Sequence, residues 1–537
     1  MAAAGAASGG GSSGVAKGIN PWAIALVVSL ATFMEVLDTT IANVALRYIS
    51  GGLGVSSDEA SWVVTTYLVS NAIVLVASSF IAKRYGRRRF YLLCLATFTA
   101  ASVLCGLAWN LDSLLVFRVI QGFAGGGMVP ISQSILADSF PPQKRGQAFA
   151  LFGVAVVVAP VVGPTLGGFL SDNYSWHWCF LINGPVGVLA FTLVWFMVQE
   201  PESLRKERAK MRKTGVRFDI VGFALVATFL GALEVVLDRG QTDDWFNSNF
   251  IIVMALVSGL ALALSIPWLL THKNPAVDAR LLGSRQFGSC FIVMGATGAI
   301  LYATTQFLPE LLQQYYGYTA TWAGLALSPG GVVTMMMMFL IGQVSGKIQP
   351  KYLIAVGAAI IAGAMWDLTR LYGDSNFWFF ALSRIYLGFG LPLIFIPITS
   401  ASYAGLKPNQ TDQASALINA ARNTGGSIGV SIAANTLAHR EQWHQSRLVE
   451  SVVPSEPAYH QSMSTLTQFF SERGATAVEA QNQATAWIGQ QVETQAGYLA
   501  YIDVFFTLML LSLAAIPLAL ILRNIKLGGG GGGAGGH

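Results

Sequence analysis

Two carboxylates, Glu35 and Asp38, lie inside the first long apolar run of the chain, Trp22–Leu46. Because about 20 apolar residues suffice to cross the hydrocarbon core of a bilayer, both acids are expected at membrane depth. An acidic side chain there costs about 2.5–3.5 kcal/mol on insertion scales. The i, i+3 spacing places the two carboxyl groups on one helix face, where they do not ionise together easily. The pair therefore predicts a group that binds and releases a proton.

Two other interpretations of this pair remain open: a structural acid bonded to another helix, and a side chain that snorkels to the interface. The six histidines lie in loops, at helix ends or in the tail, so buried proton chemistry is expected to rest on carboxylates. Four cysteines fall in apolar runs without the spacing of metal ligands. They are predicted to be packing residues, namely Cys94, Cys105, Cys179 and Cys290.

The composition, 53% hydrophobic and only 11% charged, predicts an all-α polytopic membrane protein, because soluble domains carry about 25% charged residues. The net charge of +5 follows the membrane topology and does not indicate nucleic acid. Fourteen spans are predicted, at 22–46, 60–82, 90–108, 111–137, 147–170, 178–198, 218–237, 249–270, 287–309, 322–342, 353–370, 377–403, 413–436 and 500–522.

Lysine and arginine set the orientation of these spans. With the N-terminus inside, the cytoplasmic segments hold 23 of the 32 basic residues and the external segments hold six. This asymmetry predicts cytoplasmic termini and an even number of spans. The Ala/Gly/Ser-rich residues 1–18 are expected to be disordered, and residues 523–537 form a flexible Gly-rich tail.

An internal repeat relates the two halves of the chain. Arg118–Phe123 matches Arg384–Phe389 at an offset of 266 residues. The fourth span thus corresponds to the twelfth, and spans 1–6 repeat as spans 9–14, with two helices inserted between them. Two six-helix bundles related along the membrane normal are one architecture of secondary transporters. The predicted domains are a bundle at 19–198, a basic linker and inserted helices at 199–286, and a bundle at 287–522.

The fifth span contains Gly163-Pro164-x-x-Gly167-Gly168, whose small residues allow close helix packing and whose proline bends the helix. It resembles the antiporter motif of the major facilitator superfamily. Leu37–Ala45 in the first span and Arg118-x-x-Gln121-Gly122 in the fourth are similar to motifs of its fourteen-helix drug:proton antiporters. The loop motif at Ser79–Arg88 departs from the superfamily pattern, because Lys83 replaces an aspartate and Ser79 replaces a glycine.

This resemblance implies a major facilitator fold and export by alternating access, driven by a proton gradient without a cofactor. Asp38 would carry the proton, Glu35 would share or tune it, and Arg118 would favour the ionised carboxylate in one state only. The resemblance also implies a bacterial inner-membrane location, a periplasmic membrane-fusion adaptor (EmrA-like) and an outer-membrane channel (TolC-like).

Spans 1, 4, 9 and 12 would line a central cavity for hydrophobic and amphipathic compounds. The candidate substrate contacts are polar side chains on these spans: Asn43, Gln121, Tyr302, Thr304, Thr305, Gln306 and Arg384. Alternatively, Arg384 is a cation near the outer interface. Met335–Met338 suit an adaptable apolar site, or else form a membrane-facing stripe. The rival function is export of one fatty-acid-like or lipid-like substrate. An enzyme is disfavoured because the spans and short loops carry no catalytic constellation.

A long external segment, Leu437–Leu499, separates the last two spans and is predicted to be partly helical. Its apolar anchors lie within a Gln/Ser/Glu-rich surface and are Trp443, Tyr459, Phe469, Phe470 and Trp487. Aromatic anchors in a polar rim are typical of protein–protein contact surfaces. The segment is therefore either a docking surface for the adaptor or a passive cap on the outer ends of the helices.

Overall fold

A computed structural model describes residues 20–141, 144–200, 205, 208–209, 219–272, 275–404, 406 and 410–524. The predictions for residues 1–18, for most of the linker between 201 and 218 and for residues 525–537 of the tail lie outside this part of the chain. Within it, the secondary structure is helical and contains no strand. The prediction of an all-α polytopic chain is confirmed.

Fifteen α-helices follow one another along the described residues. The first six are α1 (Pro21–Leu53), α2 (Ser57–Tyr85), α3 (Arg87–Cys105), α4 (Leu111–Ser139), α5 (Arg145–Asn173) and α6 (Trp178–Leu181 and Asn183–Met197). The inserted hairpin is α7 (Ile220–Arg239) and α8 (Asn249–Thr271). The others are α9 (Arg285–Gln314), α10 (Ala320–Val344), α11 (Pro350–Leu368), α12 (Phe377–Ser402), α13 (Thr411–Glu450), α14 (Pro457–Glu472) and α15 (Ala477–Leu520).

Side-chain caps fix where several of these helices begin. The Asn20 side chain accepts from the Trp22 backbone N–H at 3.0 Å, and Pro21 occupies the first helical position of α1. Ser56 and Glu59 form a reciprocal capping box at the start of α2. These caps satisfy N–H groups that the helix itself leaves unpaired.

Thirteen helices of the described chain are long and apolar enough to cross a membrane, with the two segments of α6 counted as one. Two helices fall outside this set: α14, which is only 16 residues long, and α13, which is 40 residues long but more polar. The longer of the two, α13, is the predicted thirteenth span. It packs against α9, α15, α2 and α4. The predicted count of fourteen spans therefore stays a prediction.

The same pairs of helices pack together in both halves of the chain. In the first half α1 packs on α5, and α4 packs on both α2 and α3. In the second half α9 packs on α13, and α12 packs on both α10 and α11. Each pair in the second half is displaced by eight helices from its counterpart in the first.

The two halves meet where α5 packs on α10. A Cβ atom on Gly324 of α10 would lie 1.9 Å from the Thr165 hydroxyl oxygen of α5, so only glycine permits this approach. The halves are also joined where Arg87 of α3 forms ion pairs with Asp138 of α4 and, at 2.8 Å, with Asp412 of α13.

The inserted hairpin is held to both halves through polar groups on α7. The Glu234 carboxylate accepts from the Ser427 hydroxyl of α13 at 2.5 Å, and Asp238 accepts from Thr65 of α2. Arg239 donates to Ser61 of α2 at 2.6 Å. The hairpin therefore bridges α2 and α13.

Candidate functional site

Asp38 lies at the centre of a buried polar cluster between α1, α2, α4 and α6. One carboxylate oxygen accepts from Arg118 Nη1 at 2.7 Å. The other oxygen accepts from Gln121 Nε2 at 2.9 Å and from Asn183 Nδ2 at 2.7 Å. Asp38 and Arg118 are 1% and 0% exposed. The structure thus brings together three of the residues predicted from sequence and adds Asn183, which follows the break in α6.

Arg118 is fixed by partners on several helices. Its Nε donates to the Val63 carbonyl of α2 at 3.0 Å, and its Nη1 also donates to Gln121 Oε1 at 2.9 Å. The guanidinium lies over the Tyr67 ring at 4.3 Å and the Phe180 ring at 5.4 Å. This arrangement uses the planar fork of arginine, which lysine cannot reproduce.

Glu35 has a different environment, although it lies one turn from Asp38. Its carboxylate accepts from the Tyr67 hydroxyl at 3.2 Å and from Asn71 Nδ2 at 3.1 Å. Both donors are neutral. The cation that attracts Glu35 most strongly is Arg422 of α13, which belongs to the second half of the chain. Hence Asp38 has a bonded counter-charge within the first half, whereas Glu35 has only a longer-range one from the other half.

The glycine motif of α5 holds α1 close to the polar cluster. A Cβ atom on Gly163 would lie 2.1 Å from the Thr40 hydroxyl oxygen, and one on Gly167 would lie 3.3 Å from the Ile41 carbonyl oxygen. Thr40 lies two residues after Asp38 on α1. Pro164 and Gly168 are buried in the same helix. The motif therefore positions the helix that carries Asp38 and Glu35, and is not part of a polar pocket.

The predicted substrate contacts on α9 do not form one polar surface. The Thr304 and Thr305 hydroxyls donate within their own helix, each at 2.7 Å, to the carbonyls of residues 300 and 301. Gln306 is exposed, as is Asn43 on α1. Tyr302 is the exception, because it interacts with Arg422 and lies against Gly426 of α13.

Arg384, the repeat counterpart of Arg118, is only 3% exposed, and its Nη1 has no hydrogen-bond partner among the described residues. The offset of 266 residues relates Asp38 to position 304, where the second half carries a threonine. The second half thus repeats the arginine without the acid. Arg384 is buried within α12, and its position relative to the outer membrane interface stays a prediction.

The methionines of α10 divide between two environments. Met335 and Met336 are 40% and 65% exposed, as expected of a membrane-facing stripe. Met338 is fully buried and faces Gly153 of α5.

Two functional candidates were missing from the sequence predictions, Arg422 and Glu234. Both are charged residues inside predicted spans, the same signal that identified Glu35. Their partners lie on helices distant in sequence, so their roles emerge only from packing. The four cysteines are free and buried, and the described residues contain no group of His, Cys, Asp and Glu that could hold a metal ion.

Residues 28–430 match the model of the Major Facilitator Superfamily. Multidrug export protein EmrB of Escherichia coli (strain K12) is 38% identical over 482 residues, covering 90% of this chain and 91% of that protein. Fatty acid resistance protein FarB of Neisseria gonorrhoeae is 35% identical over 514 residues, covering 96% of this chain and 97% of that protein.

A solved structure shares the fold at low identity. The proton:xylose symporter XylE, bound to 6-bromo-6-deoxy-D-glucose, superposes with a TM-score of 0.56 at 14% identity, covering 91% of this chain and 94% of that one. The two helical halves and the buried ion pair of Asp38 with Arg118 define a multi-pass membrane protein of the transporter class. The chain belongs to the major facilitator superfamily, which confirms the resemblance inferred from its motifs.

Proposed function

We propose that this protein exports hydrophobic and amphipathic compounds of several chemical kinds, each step coupled to inward movement of protons. Its likeness to multidrug export protein EmrB over 90% of the chain supports the substrate class. The buried Glu35, Asp38 and Arg118 side chains support proton coupling, because acids at membrane depth mark proton pathways. The role is transport, and no cofactor other than the proton gradient is required.

The observation that carries the proposal is the unequal pairing of the two acids. In this conformation Arg118 and two amides favour the ionised form of Asp38. Glu35, with neutral donors only, holds the proton. When Arg118 moves away in the other conformation, Asp38 accepts a proton in turn. In this series of steps both carboxyl groups take part in coupling. The position of Arg118 determines when Asp38 is protonated.

Transport in proteoliposomes with an imposed pH gradient tests this proposal. A hydrophobic fluorescent cation such as ethidium serves as the substrate, and an internal pH dye reports proton movement. Asp38→Asn and Glu35→Gln keep side-chain shape and remove titration, so each is expected to abolish gradient-driven accumulation while binding persists. Asp112→Asn, an exposed acid in the first turn of α4, is the matched control. Gradient-driven accumulation at wild-type rates in both variants would contradict proton coupling through this pair.

We propose an inner-membrane location with cytoplasmic termini, supported by the 23-to-6 distribution of basic residues. Alkaline phosphatase fused after Arg523 would be inactive, and the same enzyme inserted between Glu450 and Pro457 would be active. The opposite pattern would reverse the orientation.

We also propose that the external helices contact a periplasmic membrane-fusion adaptor. An outer-membrane channel would complete this three-part export assembly. The predicted helical extension of this segment is present, since α13 continues to Glu450, α15 begins at Ala477, and α14 packs on α15. Trp443, Phe469 and Trp487 are 45%, 42% and 43% exposed, which supports a contact surface rather than a sealed cap.

Replacing residues 452–476 by a short Gly/Ser linker removes α14 and keeps α13 and α15. Adaptor co-purification is expected to fall while transport by the isolated protein in proteoliposomes survives. Undiminished adaptor binding would show that α14 is not the contact.

A second candidate, export of a dedicated fatty-acid-like substrate, is favoured by the 35% identity to fatty acid resistance protein FarB. Competition distinguishes the two. If oleate blocks ethidium export but ethidium never blocks oleate export, the fatty acid is the principal substrate.

A further inference from the structure

A cavity of about 790 Å³ lies between the inserted hairpin and helices of both halves of the protein. We call it the hairpin cavity; its walls include Leu75 of α2, Phe229 of α7, Leu269 of α8, Ala296 of α9, Leu417 of α13 and Leu518 of α15. Its size falls in the range of about 300–1,000 Å³ that is common for ligand sites. None of the proposed transport residues lines it.

The hairpin cavity lies beside a hairpin that is bonded to α13 and α2 near its turn and is closed by its own polar bonds at the other end. Towards one end Glu234 and Arg239 bond to α13 and α2. At the other end Asp219 accepts from Trp268 Nε1 at 2.9 Å and from the Ala276 backbone N–H at 3.1 Å. Between these ties the walls of α9 and α13 include several glycines and alanines, namely Gly295, Ala296, Ala299, Ala420, Ala421 and Gly425.

Water is a poor occupant of this space. A buried water needs two to four polar partners, and the walls are almost entirely aliphatic and aromatic. Several exposed apolar residues of α8, such as Leu260 and Leu264, place the hairpin in the hydrocarbon of the bilayer. The material that surrounds the cavity, and can fill it, is therefore acyl chain.

Two arginines flank the cavity at its Asp219 end. Arg280 and Arg285 are exposed and stand on either side of Leu282, which lines the cavity. Arg280 Nη2 donates to the Leu270 carbonyl at 2.9 Å, and Arg285 Nε donates to the Ile521 carbonyl at 3.0 Å. These partners are neutral, and neither guanidinium has a carboxylate within 4.0 Å in the described chain. Two positive charges thus remain available to an anionic head group.

We propose that the hairpin cavity binds an anionic phospholipid from the leaflet on the side of Arg280 and Arg285. The acyl chains fill the space between the hairpin and the α9–α13 wall, and the phosphate bonds to the two arginines. The bound lipid thus fills the space between the hairpin and the two halves that side chains do not occupy. This site goes beyond the proposed transport function, since no proton or exported substrate is involved.

Native mass spectrometry of the full-length protein with added phosphatidylglycerol, phosphatidylcholine or oleate tests the proposal. Phosphatidylglycerol adducts are expected to survive detergent washing and phosphatidylcholine adducts to be lost. Arg280→Gln and Arg285→Gln are each expected to lower phosphatidylglycerol retention about fivefold. Arg370→Gln, an exposed arginine that stacks on Trp366 of α11, should leave retention unchanged.

A cavity-filling variant tests the position of the acyl chains. Gly295→Leu projects into the hairpin cavity, whereas Gly363→Leu adds the same group on the exposed face of α11, where no atom lies within 4 Å. Phosphatidylglycerol retention should fall in the first variant only, with wild-type elution and melting confirming that both fold. Equal retention of both phospholipids, or retention indifferent to the arginine variants and to Gly295→Leu, would overturn the proposal. Retention of oleate in place of phosphatidylglycerol would assign the cavity to a free fatty acid instead.

Discussion

Glu35 and Asp38 are separated by one turn of α1, yet their surroundings respond differently to movement between the two halves. All hydrogen-bond donors to Asp38 belong to the first half of the chain. Glu35 is attracted by Arg422, which belongs to the second half. A displacement of the halves therefore changes the charge near Glu35 and leaves the Asp38 ion pair intact until α4 itself adjusts.

The Arg118 ion pair is open to a stability test. Arg118→Ala leaves Asp38 buried without its counter-charge, and breaking a buried pair in this way costs about 3–5 kcal/mol. Arg118→Lys should cost less, because it keeps the charge but loses the bond to the Val63 carbonyl. In the double variant Asp38→Asn/Arg118→Ala much of the loss should be recovered. Thermal unfolding in detergent measures all four proteins, and a double variant as unstable as the sum of the single changes would refute the pairing.

The helices could be predicted from sequence wherever apolar runs are long, whereas for the polar continuations the sequence predicted helix but not its length. The thirteenth span was predicted to end at residue 436, whereas α13 continues to Glu450. Its extension is held to neighbouring helices by polar ties, such as Arg440 Nε to Asp503 at 2.5 Å. Hydropathy contains no signal for such ties. A helix can continue beyond its apolar run when packing against neighbouring helices stabilises the added turns.

The charged residues of the candidate site could be predicted from sequence, whereas its neutral hydrogen-bond donors could not. In-span charges such as Glu35, Asp38 and Arg118 are visible in sequence because the membrane makes them costly. Neutral donors such as Asn183 and Asn71 carry no such signal. The threonine candidates stay predictions, because a threonine hydroxyl can also bond to the preceding turn of its own helix, as that of Thr304 does.

The contact between α1 and α5 gives a prediction at the scale of helices. Because a Cβ atom on Gly163 would lie 2.1 Å from the Thr40 hydroxyl, Gly163→Ala must push α1 away from α5. Overpacking of this kind costs about 1–3 kcal/mol, and it moves Asp38 relative to Arg118. We expect a lower melting temperature and slower proton-coupled transport. Gly51→Ala on α1, which has no atom within 4 Å, should change neither. Equal behaviour of the two variants would show that α5 does not position α1.

The inserted hairpin depends on Asp219, which lies just before α7. Partial burial disfavours its ionised form, but bonds from Gly222, Trp268 and Ala276 outweigh this and lower its pKa below the usual 3.8. The carboxylate therefore stabilises the hairpin at neutral pH, and this contribution is lost only as the pH falls through the lowered pKa. Asp219→Ala removes the helix cap, at a cost of about 0.5–2 kcal/mol, and leaves two further donors unpaired. Amide hydrogen exchange should accelerate in α7 and α8, with less change in Asp219→Asn. Unchanged exchange in Asp219→Ala would refute this tie.

For the whole molecule, the decisive contacts join the two halves at the end where α3, α4 and α13 meet. Gln133 of α4 accepts from Ser415 at 2.9 Å and from Asn419 at 2.8 Å, both on α13. Arg87 lies near them and pairs with Asp412. Alternating access needs the halves to separate at one end and then at the other. On this mechanism we expect these bonds to break in each transport cycle and their strength to set how often this end opens.

Asp412→Asn should shift the population of the protein towards the form open at this end. The substitution keeps the shape of the side chain and removes the charge that Arg87 pairs with across the halves, so the closed form alone loses stability. Each 1.4 kcal/mol of loss changes the ratio of closed to open molecules about tenfold.

Spin labels at Arg89→Cys and Lys347→Cys, both exposed near this end, report the separation of the halves, and the native cysteines are buried. The distance distribution should move to longer values in Asp412→Asn and stay unchanged in Glu450→Gln, which removes an exposed pair with Arg447 within α13. Identical distributions in wild type and Asp412→Asn would show that the Arg87–Asp412 pair does not keep this end closed.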